Sequence, residues 1–537
     1  MKTKKLFTSV ISLFVFLCFT LFAALSTLHA AAPIPNVTGP IPVTADSYPF
    51  NAANHSTIPQ DLSKFDYVEE EYFVSGLANI YDFDGDGKIM VKAADAPYTT
   101  RILVRRPASP HEFSGNIIVE LLNPTARFDL DIQWQFSRDY FLAHKDVWVG
   151  VTVKPVAVEA LKTFDPKRYA PLSMANPLPP DKTCPNPVSL LPDSTPATEN
   201  GLVWDILSQV GALLKSTSPK NPLYPVRNSS GPLNPAVEQR GIISNGVKRV
   251  FATGYSQTAG YLVPYINFIR PLPTAALDNG KPVYDGYLIG DGDGLPISIN
   301  QCSAPLKPGD PRFVIQPRPE PVISVGTQTL LVPGVLARRG DSDSPADRYR
   351  RYEIPGASHI SKRGMVYFPS PADVARAGVP QLPPACTGID IFGLSDFPLE
   401  YFMNGAFANL DAWVRSGTVP PKTPWIKVKN VPGAPVPVAE LDQYGNAAGG
   451  VPVPYIEVPI ATYYARSTSA DPRSAFFCSL SGYKVPLKKE TLAQLYPTHD
   501  AYVKKVKESV EALVKEKLIT QDDGLKIIKE AEQAAVP

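Results

Sequence analysis

The sequence has few cysteines and histidines and almost no net charge. Its 537 residues include five cysteines and six histidines, and the formal net charge is +1. No basic run lies beside interleaved aromatic residues, so the pattern typical of a nucleic-acid-binding surface is absent. The cysteines show no metal-ligand spacing, and we expect neither a metal nor another cofactor. With 44% hydrophobic and 19% charged residues, the composition is that of a folded protein with a sizeable core.

Long hydrophobic runs are also scarce, and the one present lies at the amino terminus. Three lysines within the first five residues precede an apolar run over residues 6–25, and three alanines follow at 30–32. This order predicts a cleaved export signal over residues 1–32, with an uncleaved anchor as the alternative. No second apolar stretch is long enough to cross a bilayer. We therefore expect a secreted or extracytoplasmic protein that does not enter the membrane after signal removal.

Four cysteines remain once the predicted signal is removed. They are Cys184, Cys302, Cys386 and Cys478. An even number in an exported chain allows two disulfides, for which three pairings are possible. Four unpaired and buried thiols are the alternative.

Alternating strands and helices begin near Tyr98. Strands that are apolar on both faces indicate a mostly parallel sheet with helices on both sides, which is the α/β class. We predict strands over residues 100–105, 116–122, 147–153, 249–253, 284–289, 322–325 and 350–354. The apolar spacing predicts helices over residues 130–143 and 201–215 and a helical segment over 491–535.

Two segments rich in proline interrupt this alternation. They cover residues 163–200 and about 216–235, and both are predicted to be surface insertions. By analogy with inserts in similar folds, the first is expected to border the substrate pocket. We predict one domain over residues 33–537 that contains both insertions.

The sharpest local signal is a short apolar strand that runs into Gly254-Tyr255-Ser256-Gln257-Thr258, directly before a helix. A serine at such a bend projects its hydroxyl above the sheet, as the nucleophile of an α/β-hydrolase does. The tight bend needs small residues two positions away on each side. Gly254 fits this need, whereas Thr258 is larger than the usual glycine. The competing interpretation is an ordinary strand, turn and helix in which Ser256 is an N-cap.

The predicted general base is His359, which follows the strand of the YRRYEIPGASH segment. In the order nucleophile, acid, histidine, the base lies on a loop after the last core strand. His499 is the other histidine downstream of Ser256, and we interpret it as part of a helix start. His359 is therefore the preferred partner of Ser256.

The triad acid has several candidates. The loop after the strand at 322–325 is the usual place, and its first carboxylates are Asp341 and Asp343. Asp291 and Asp293 in the preceding Gly-Asp-Gly-Asp-Gly turn are the alternatives. Asp341 is the first choice, although an aspartate beside glycine and serine is more often a solvated turn residue.

The oxyanion donors are expected at two backbone positions. One is the N–H of Gln257, which follows the nucleophile. The other should come from the loop after the strand at 116–122. Pro124 has no N–H, so Asn123 or Thr125 must supply it.

One further acidic motif, DFDGDG at residues 82–87, has the opening spacing of a calcium loop. Its twelfth position is alanine rather than glutamate, and its flanks resemble strands. A polar hairpin turn is the alternative interpretation.

Several separated segments in the same order resemble a bacterial family of secreted α/β-hydrolase-domain proteins whose nucleophile region looks like GESQSAG. The matching segments here are GYSQTAG, YTTRILVRRP, ELLNPT, RYRRYEIPGASH, YGNAAGGVPVPYIEVPIATY and LYPTHDAYV. The resemblance implies an α/β-hydrolase fold, catalytic roles for Ser256 and His359, and a family-specific carboxyl-terminal region from about residue 426 within the same domain. The family often has SETD where this chain has Thr327-Gln328-Thr329-Leu330, so Gln328 would replace an acid located there.

These observations together predict a serine hydrolase that cleaves carboxylic esters, either small molecules or polymers, through an acyl-enzyme. Two alternatives stay open. One is an acyl hydrolase of the same fold that acts on amides, lactones or polyesters. The other is a binding protein that has kept the fold without its catalysis.

Overall fold

The computed structural model describes residues 31–179, 182–185, 187, 195–223, 246–303, 306–307, 309–365, 368–379, 385–432 and 436–536. Residues 1–30 of the predicted signal lie outside the described residues. Both predicted insertions are described in part. Among the described residues, no helix combines the length and the hydropathy that crossing a membrane requires.

Fourteen strands occur within the described ranges. They are β1 (Asn36–Thr38), β2 (Tyr67–Phe83), β3 (Ile89–Pro107), β4 (Asn116–Leu121), β5 (Val147–Val151), β6 (Arg249–Tyr255), β7 (Gly286–Gly290), β8 (Val322–Thr327), β9 (Ser342–Ser344), β10 (Asp347–Ile354), β11 (Val428–Lys429), β12 (Val438–Ala439), β13 (Ala461–Tyr464) and β14 (Tyr483–Pro486).

The helices of the described chain alternate with these strands and then dominate the carboxyl-terminal part. They are α1 (Ile132–His144), α2 (Pro155–Phe164), α3 (Val203–Lys215), α4 (Gln257–Pro264), α5 (Leu331–Leu336), α6 (Pro371–Arg376), α7 (Ile389–Phe392), α8 (Leu399–Ser416), α9 (Pro454–Glu457), α10 (Pro472–Leu480), α11 (Lys489–Leu495), α12 (His499–Lys515) and α13 (Gln521–Glu532).

The first ten strands form one sheet in the order β1-β2-β3-β5-β4-β6-β7-β8-β10-β9. The six strands from β5 to β10 in this order pair in parallel. Every residue of β4 and β5 is buried, as expected for strands covered on both faces. The α/β fold class predicted from the sequence is confirmed. The carboxyl ends of the parallel strands meet along one edge of the sheet, where the loops after β4, β6 and β7 come together.

An antiparallel hairpin of β2 and β3 extends the sheet on one side, and the acidic DFDGDG motif lies at its tip. The Asp84 Oδ1 atom accepts hydrogen bonds from the backbone N–H groups of Asp86 (2.9 Å) and Lys88 (2.8 Å). Within the described part of the chain, no group of three or more histidine, cysteine, aspartate or glutamate residues is arranged to hold a metal ion. The motif forms a polar turn at the tip of the β2–β3 hairpin, as the alternative interpretation describes.

The carboxyl-terminal helices pack on the same core as the sheet. Tyr502 and Val506 on α12 belong to one buried cluster with Trp148 of β5 and Leu288 of β7. The long helix α8, which the sequence analysis did not predict, also lies in this cluster and packs against α1. The carboxyl-terminal region therefore shares a hydrophobic core with the sheet.

Two disulfides connect distant parts of the chain, Cys184 with Cys302 and Cys386 with Cys478. Of the two possibilities left open, paired cysteines rather than free thiols are present. Disulfides persist mainly in oxidising compartments, so this pairing points to an extracytoplasmic location.

Candidate active site

Ser256 occupies a strained bend between β6 and α4. Its backbone angles are φ 57° and ψ −123°, outside the regions that residues with a side chain ordinarily adopt. The Ser256 N–H donates to the carbonyl of Gly290 at 2.8 Å, and its own carbonyl accepts from the Gly260 N–H at 2.9 Å. Strain at a single residue, held by hydrogen bonds on both sides, is typical of a nucleophile elbow.

Two positions beside the bend, Gly254 and Thr258, were predicted to need small residues, and only the first one does. A Cβ atom at Gly254 would lie 2.7 Å from the Thr258 carbonyl carbon, so only glycine fits there. Thr258 is fully buried, and its hydroxyl donates to the Tyr255 carbonyl (3.1 Å) and accepts from the Tyr255 N–H (3.2 Å). The threonine that departs from the usual glycine therefore fastens the bend through its own hydroxyl group.

His359 lies beyond β10, and its imidazole Nδ1 atom forms a hydrogen bond with Asp291 Oδ2. Both side chains are buried, with residue exposures of 5% and 1%. The Asp291 carboxylate also accepts from the Thr327 N–H (2.7 Å) and the Thr327 hydroxyl (2.6 Å). Asp291 itself has a positive φ of 47° directly after β7. A carboxylate held in this way orients the imidazole and leaves its Nε2 atom for proton transfer.

Asp341, the first choice for the triad acid, and Asp343 both have partners other than His359. Asp341 accepts from the Arg351 backbone N–H at 3.1 Å and lies 3.6 Å from Arg350 Nη1. Asp343 pairs with Arg350 and with Lys422. Both carboxylates bind groups of β10, and Asp343 also reaches Lys422, whereas the alternative candidate Asp291 contacts His359.

The sequence signal for Asp291 is the pair of glycines, Gly290 and Gly292, that flank it. A Cβ atom at Gly292 would lie 2.1 Å from the Ser256 carbonyl oxygen, and one at Gly290 would lie 2.9 Å from the Gly254 carbonyl oxygen. The two glycines therefore allow the turn after β7 to approach the nucleophile bend closely. An aspartate between them is brought to the site by that approach.

Ser256 and His359 line the same cavity, which has a volume of about 230 Å³. Most of its other lining side chains are apolar. The residues that line it are Asn123, Thr125, Ala126, Leu130, Ile132, Phe136, Tyr255, Ser256, His359, Ile360, Ser361, Gly364, Met365, Phe368, Phe476, Phe477 and Leu480. A serine, a histidine oriented by a carboxylate and an apolar cavity together suit acyl transfer.

Residues 37–529 match the family described as "Alpha/beta hydrolase domain". The chain belongs to this α/β-hydrolase family. Among solved structures, it is similar to a crystal structure from Klebsiella pneumoniae subsp. pneumoniae MGH 78578, assigned as a dienelactone hydrolase. That similarity has 11% sequence identity and a TM-score of 0.25, and it covers 57% of this chain and 95% of the other. No curated protein matches the chain.

The loop after β4 was expected to supply an oxyanion donor. Both of its predicted N–H groups are instead bonded within the loop itself. The Asn123 N–H donates to the Leu130 carbonyl (2.8 Å), and the Thr125 N–H donates to the Asn123 side chain (2.8 Å). The Asn123 side-chain amide donates to the Tyr255 carbonyl at 2.6 Å. Asn123 therefore connects this loop to the nucleophile strand instead of offering its backbone N–H to the substrate.

Ala126 is the next residue of this loop that lines the cavity. It lies inside a turn closed by the Arg127 N–H and the Pro124 carbonyl at 2.8 Å. The bonds found among the described residues give its own N–H no acceptor. Sequence reasoning missed Ala126 because the bridge between Asn123 and Leu130 is not visible in the sequence.

Tyr255 makes two further contacts that hold His359 in place. Its ring stacks on the imidazole with centroids 4.8 Å apart, and its hydroxyl donates to the His359 carbonyl at 2.8 Å. Burial, and to a lesser extent the nearby Asp291 carboxylate, raise the pKa of Tyr255 well above its ordinary value. The hydroxyl therefore remains protonated and keeps donating. The Thr329 hydroxyl accepts from the His359 N–H at 2.9 Å and fixes the same loop.

Gln328, which stands where the family often has an acid, accepts from the Gly356 N–H at 2.8 Å and does not contact His359. It supports the turn that precedes the histidine. The sequence analysis also expected the proline-rich insertion at residues 163–200 to border the substrate pocket. Among the described residues, none of 163–200 lines the cavity. Its walls away from the catalytic groups come from three segments, residues 125–136, residues 360–368 and α10.

Proposed function

We propose that this protein is a secreted serine hydrolase that cleaves carboxylic esters through an acyl-enzyme. Ser256 is the nucleophile, His359 the general base and Asp291 the orienting acid. The single observation that carries this proposal is the buried His359–Asp291 pair next to the same cavity that Ser256 lines. Because Asp291 occupies Nδ1, the Nε2 atom is the one that can take the serine proton.

The reaction proceeds in two halves. Ser256 Oγ attacks the ester carbonyl carbon while His359 Nε2 takes the serine proton, and the carbonyl oxygen becomes an oxyanion. The carbon–oxygen bond to the alcohol then breaks, and the imidazolium gives its proton to the leaving alkoxide. Water attacks the acyl-enzyme with His359 as base, which releases the acid and restores Ser256.

The oxyanion needs two donors near Ser256. We assign one to the backbone N–H of Gln257, the first residue of α4, where the helix N-terminus adds a favourable dipole. The second is the N–H of Ala126, in place of the Asn123 N–H expected from the sequence. Loss of one such donor typically lowers kcat by about 10²–10³.

A fluorophosphonate probe with a fluorescent tag tests the nucleophile directly. Wild type should become labelled and hydrolyse a p-nitrophenyl ester, and Ser256→Ala should do neither. Ser361→Ala is the matched control, since Ser361 is a second buried serine that lines the same cavity. Absence of labelling from wild type would favour a binding protein without catalysis. Labelling that persists in Ser256→Ala would contradict the proposed site.

The export proposal has its own test. The intact mass of protein recovered outside the cytoplasm of an expressing bacterium should lack residues 1–32. Recovery of the full-length chain in the membrane fraction would instead support the uncleaved anchor.

A further inference from the structure

The catalytic cavity is lined by a few polar side chains and by many apolar ones, which we call its apolar body. The polar lining residues are Ser256, His359, Asn123, Thr125 and Ser361. The body is formed by aliphatic and aromatic side chains from three separate segments. These side chains are Ala126, Leu130, Ile132, Phe136, Ile360, Met365, Phe368, Phe476, Phe477 and Leu480.

Among the described lining residues there is no lysine, arginine, aspartate or glutamate. A charged group of a substrate placed in the apolar body would lose its water without gaining an ionic partner. Such burial is strongly unfavourable, because no ionic or hydrogen-bonding partner replaces the lost hydration of the charge. The body of the cavity therefore selects for neutral groups.

Both walls of the body are held in place, so the cavity is formed before a substrate arrives. On one side, the Phe136 ring packs edge-on against Tyr255 with centroids 5.2 Å apart, and Gly364 leaves room for it. On the other side, α10 carries Phe477 next to Cys478, whose disulfide with Cys386 ties this helix to another segment. A preformed apolar cavity binds its ligand more tightly, because few protein side chains have to be ordered when the ligand enters.

The size of the cavity limits the group that it holds. An apolar cavity of about 150 Å³ accommodates a benzene molecule. The cavity here has about 230 Å³, which leaves room for a ring and a few further carbons, or for a medium-length chain. The cavity must hold the acyl group of the substrate, since this group stays covalently bound to Ser256 after the alcohol has left.

Resting on the proposed function, we infer that the substrates are neutral esters with a bulky apolar acyl group, and that this cavity is the acyl subsite. Phe477 and Leu480 of α10 form the wall that selects the group. Hydrolysis should therefore favour medium-length or aromatic acyl groups over acetyl and over acyl groups that end in a carboxylate.

A panel of p-nitrophenyl esters measures this preference. We expect kcat/KM to rise by up to about fourfold for each added methylene from acetate onward, until the cavity is full, and then to level or fall. The hemiglutarate ester should have a kcat/KM at least about tenfold below that of the uncharged pentanoate, which has the same number of acyl carbons.

Three variants connect the preference to the wall. Phe477→Ala should move the best acyl length toward longer chains, and Leu480→Lys should raise kcat/KM for hemiglutarate relative to pentanoate. Phe392→Ala is the control, since Phe392 is a partly exposed aromatic residue outside the cavity lining and should leave the profile unchanged. Acyl length profiles are ratios, so a loss of folded protein does not alter them.

The outcomes separate this inference from the proposed function. Turnover that depends on Ser256 but is equal for all acyl groups, or that prefers hemiglutarate, would overturn the acyl subsite and leave the serine mechanism intact. Profiles of Phe477→Ala and Leu480→Lys identical to wild type would overturn the role of α10. Ester hydrolysis that persists in Ser256→Ala, or its complete absence from wild type, would overturn both proposals.

Discussion

Asp291 and Asp293 lie on either side of Gly292 and are almost equally buried, yet they have different partners. Asp291 pairs with His359, whereas Asp293 pairs with Arg351 and accepts from the Ser324 hydroxyl at 2.9 Å. Arginine is charged at all times in a protein, while histidine gains its charge when it takes a proton. The carboxylate beside arginine is thus already neutralised in the resting protein. In the proposed mechanism, the carboxylate beside histidine stabilises a charge that arises only during the reaction.

This difference predicts that neighbouring aspartates in one turn have separable roles. Asp291 should control the rate, and Asp293 should control stability. Asp341 and Asp343 also pair with an arginine, on the β9–β10 hairpin. Their substitution should therefore lower stability rather than rate, and by less than that of Asp293, because they are more exposed.

The largest effect is expected for Asp291→Asn. The amide cannot stabilise the imidazolium and favours the wrong tautomer of His359, so kcat on a p-nitrophenyl ester should fall by about 10⁴. Folding should be retained, as measured by the thermal unfolding midpoint. A fall of less than tenfold would place the acid elsewhere.

The next effect is expected for Asp293→Asn, and it concerns stability. Removing one partner of a buried ion pair leaves Arg351 short of a counter-charge, and the free energy of unfolding should fall by about 3 kcal/mol. Urea unfolding measures this loss. The kcat per folded molecule should remain within about threefold of wild type. A loss of rate without a loss of stability would contradict the separation of roles.

A smaller effect on rate is expected for Tyr255→Phe. This change removes the 2.8 Å hydrogen bond to the His359 carbonyl and keeps the stacked ring. Because a single neutral hydrogen bond contributes about 1 kcal/mol, kcat should fall by about threefold to tenfold with KM nearly unchanged. Steady-state kinetics on a short ester gives both constants. An unchanged kcat would show that the stacked ring alone positions the imidazole.

The smallest effect is expected for Asp343→Ala. This carboxylate is half-exposed, so its ion pairs with Arg350 and Lys422 should contribute less than about 1 kcal/mol to the free energy of unfolding. Activity should not change. A fall in kcat above tenfold with intact folding would return Asp343 to the list of candidate acids.

The sequence correctly predicts those parts of the fold in which the hydrophobic pattern of neighbouring residues matches their burial in the structure. The doubly apolar strands around residues 116–122 and 147–153 are β4 and β5, and the predicted bend at Ser256 lies between β6 and α4. The position of His359 after β10 also followed from its place directly behind the strand of the YRRYEIPGASH segment. These features depend on nearby residues, and hydrophobic periodicity reports them.

The parts that were missed depend on contacts between distant segments. The acid was placed after β8 by the usual order, but the glycines around Asp291 bring the turn after β7 to the nucleophile bend. The sequence also predicts an oxyanion donor at the Asn123 N–H, but in the structure this N–H bonds to the carbonyl of Leu130. The Cys386–Cys478 disulfide joins α10, which lines the cavity, to a distant segment, and the sequence left this pairing open.

The central claim is that Asp291, and not Asp341, supports the proton transfer from Ser256 to His359. The rate of Ser256 phosphonylation by a fluorophosphonate, measured side by side for wild type, Asp291→Asn and Asp341→Asn, tests it most directly. We predict a fall of about 10³–10⁴ for Asp291→Asn and a rate within about twofold of wild type for Asp341→Asn. A reversed order, or equal rates for wild type and Asp291→Asn, would contradict the claim.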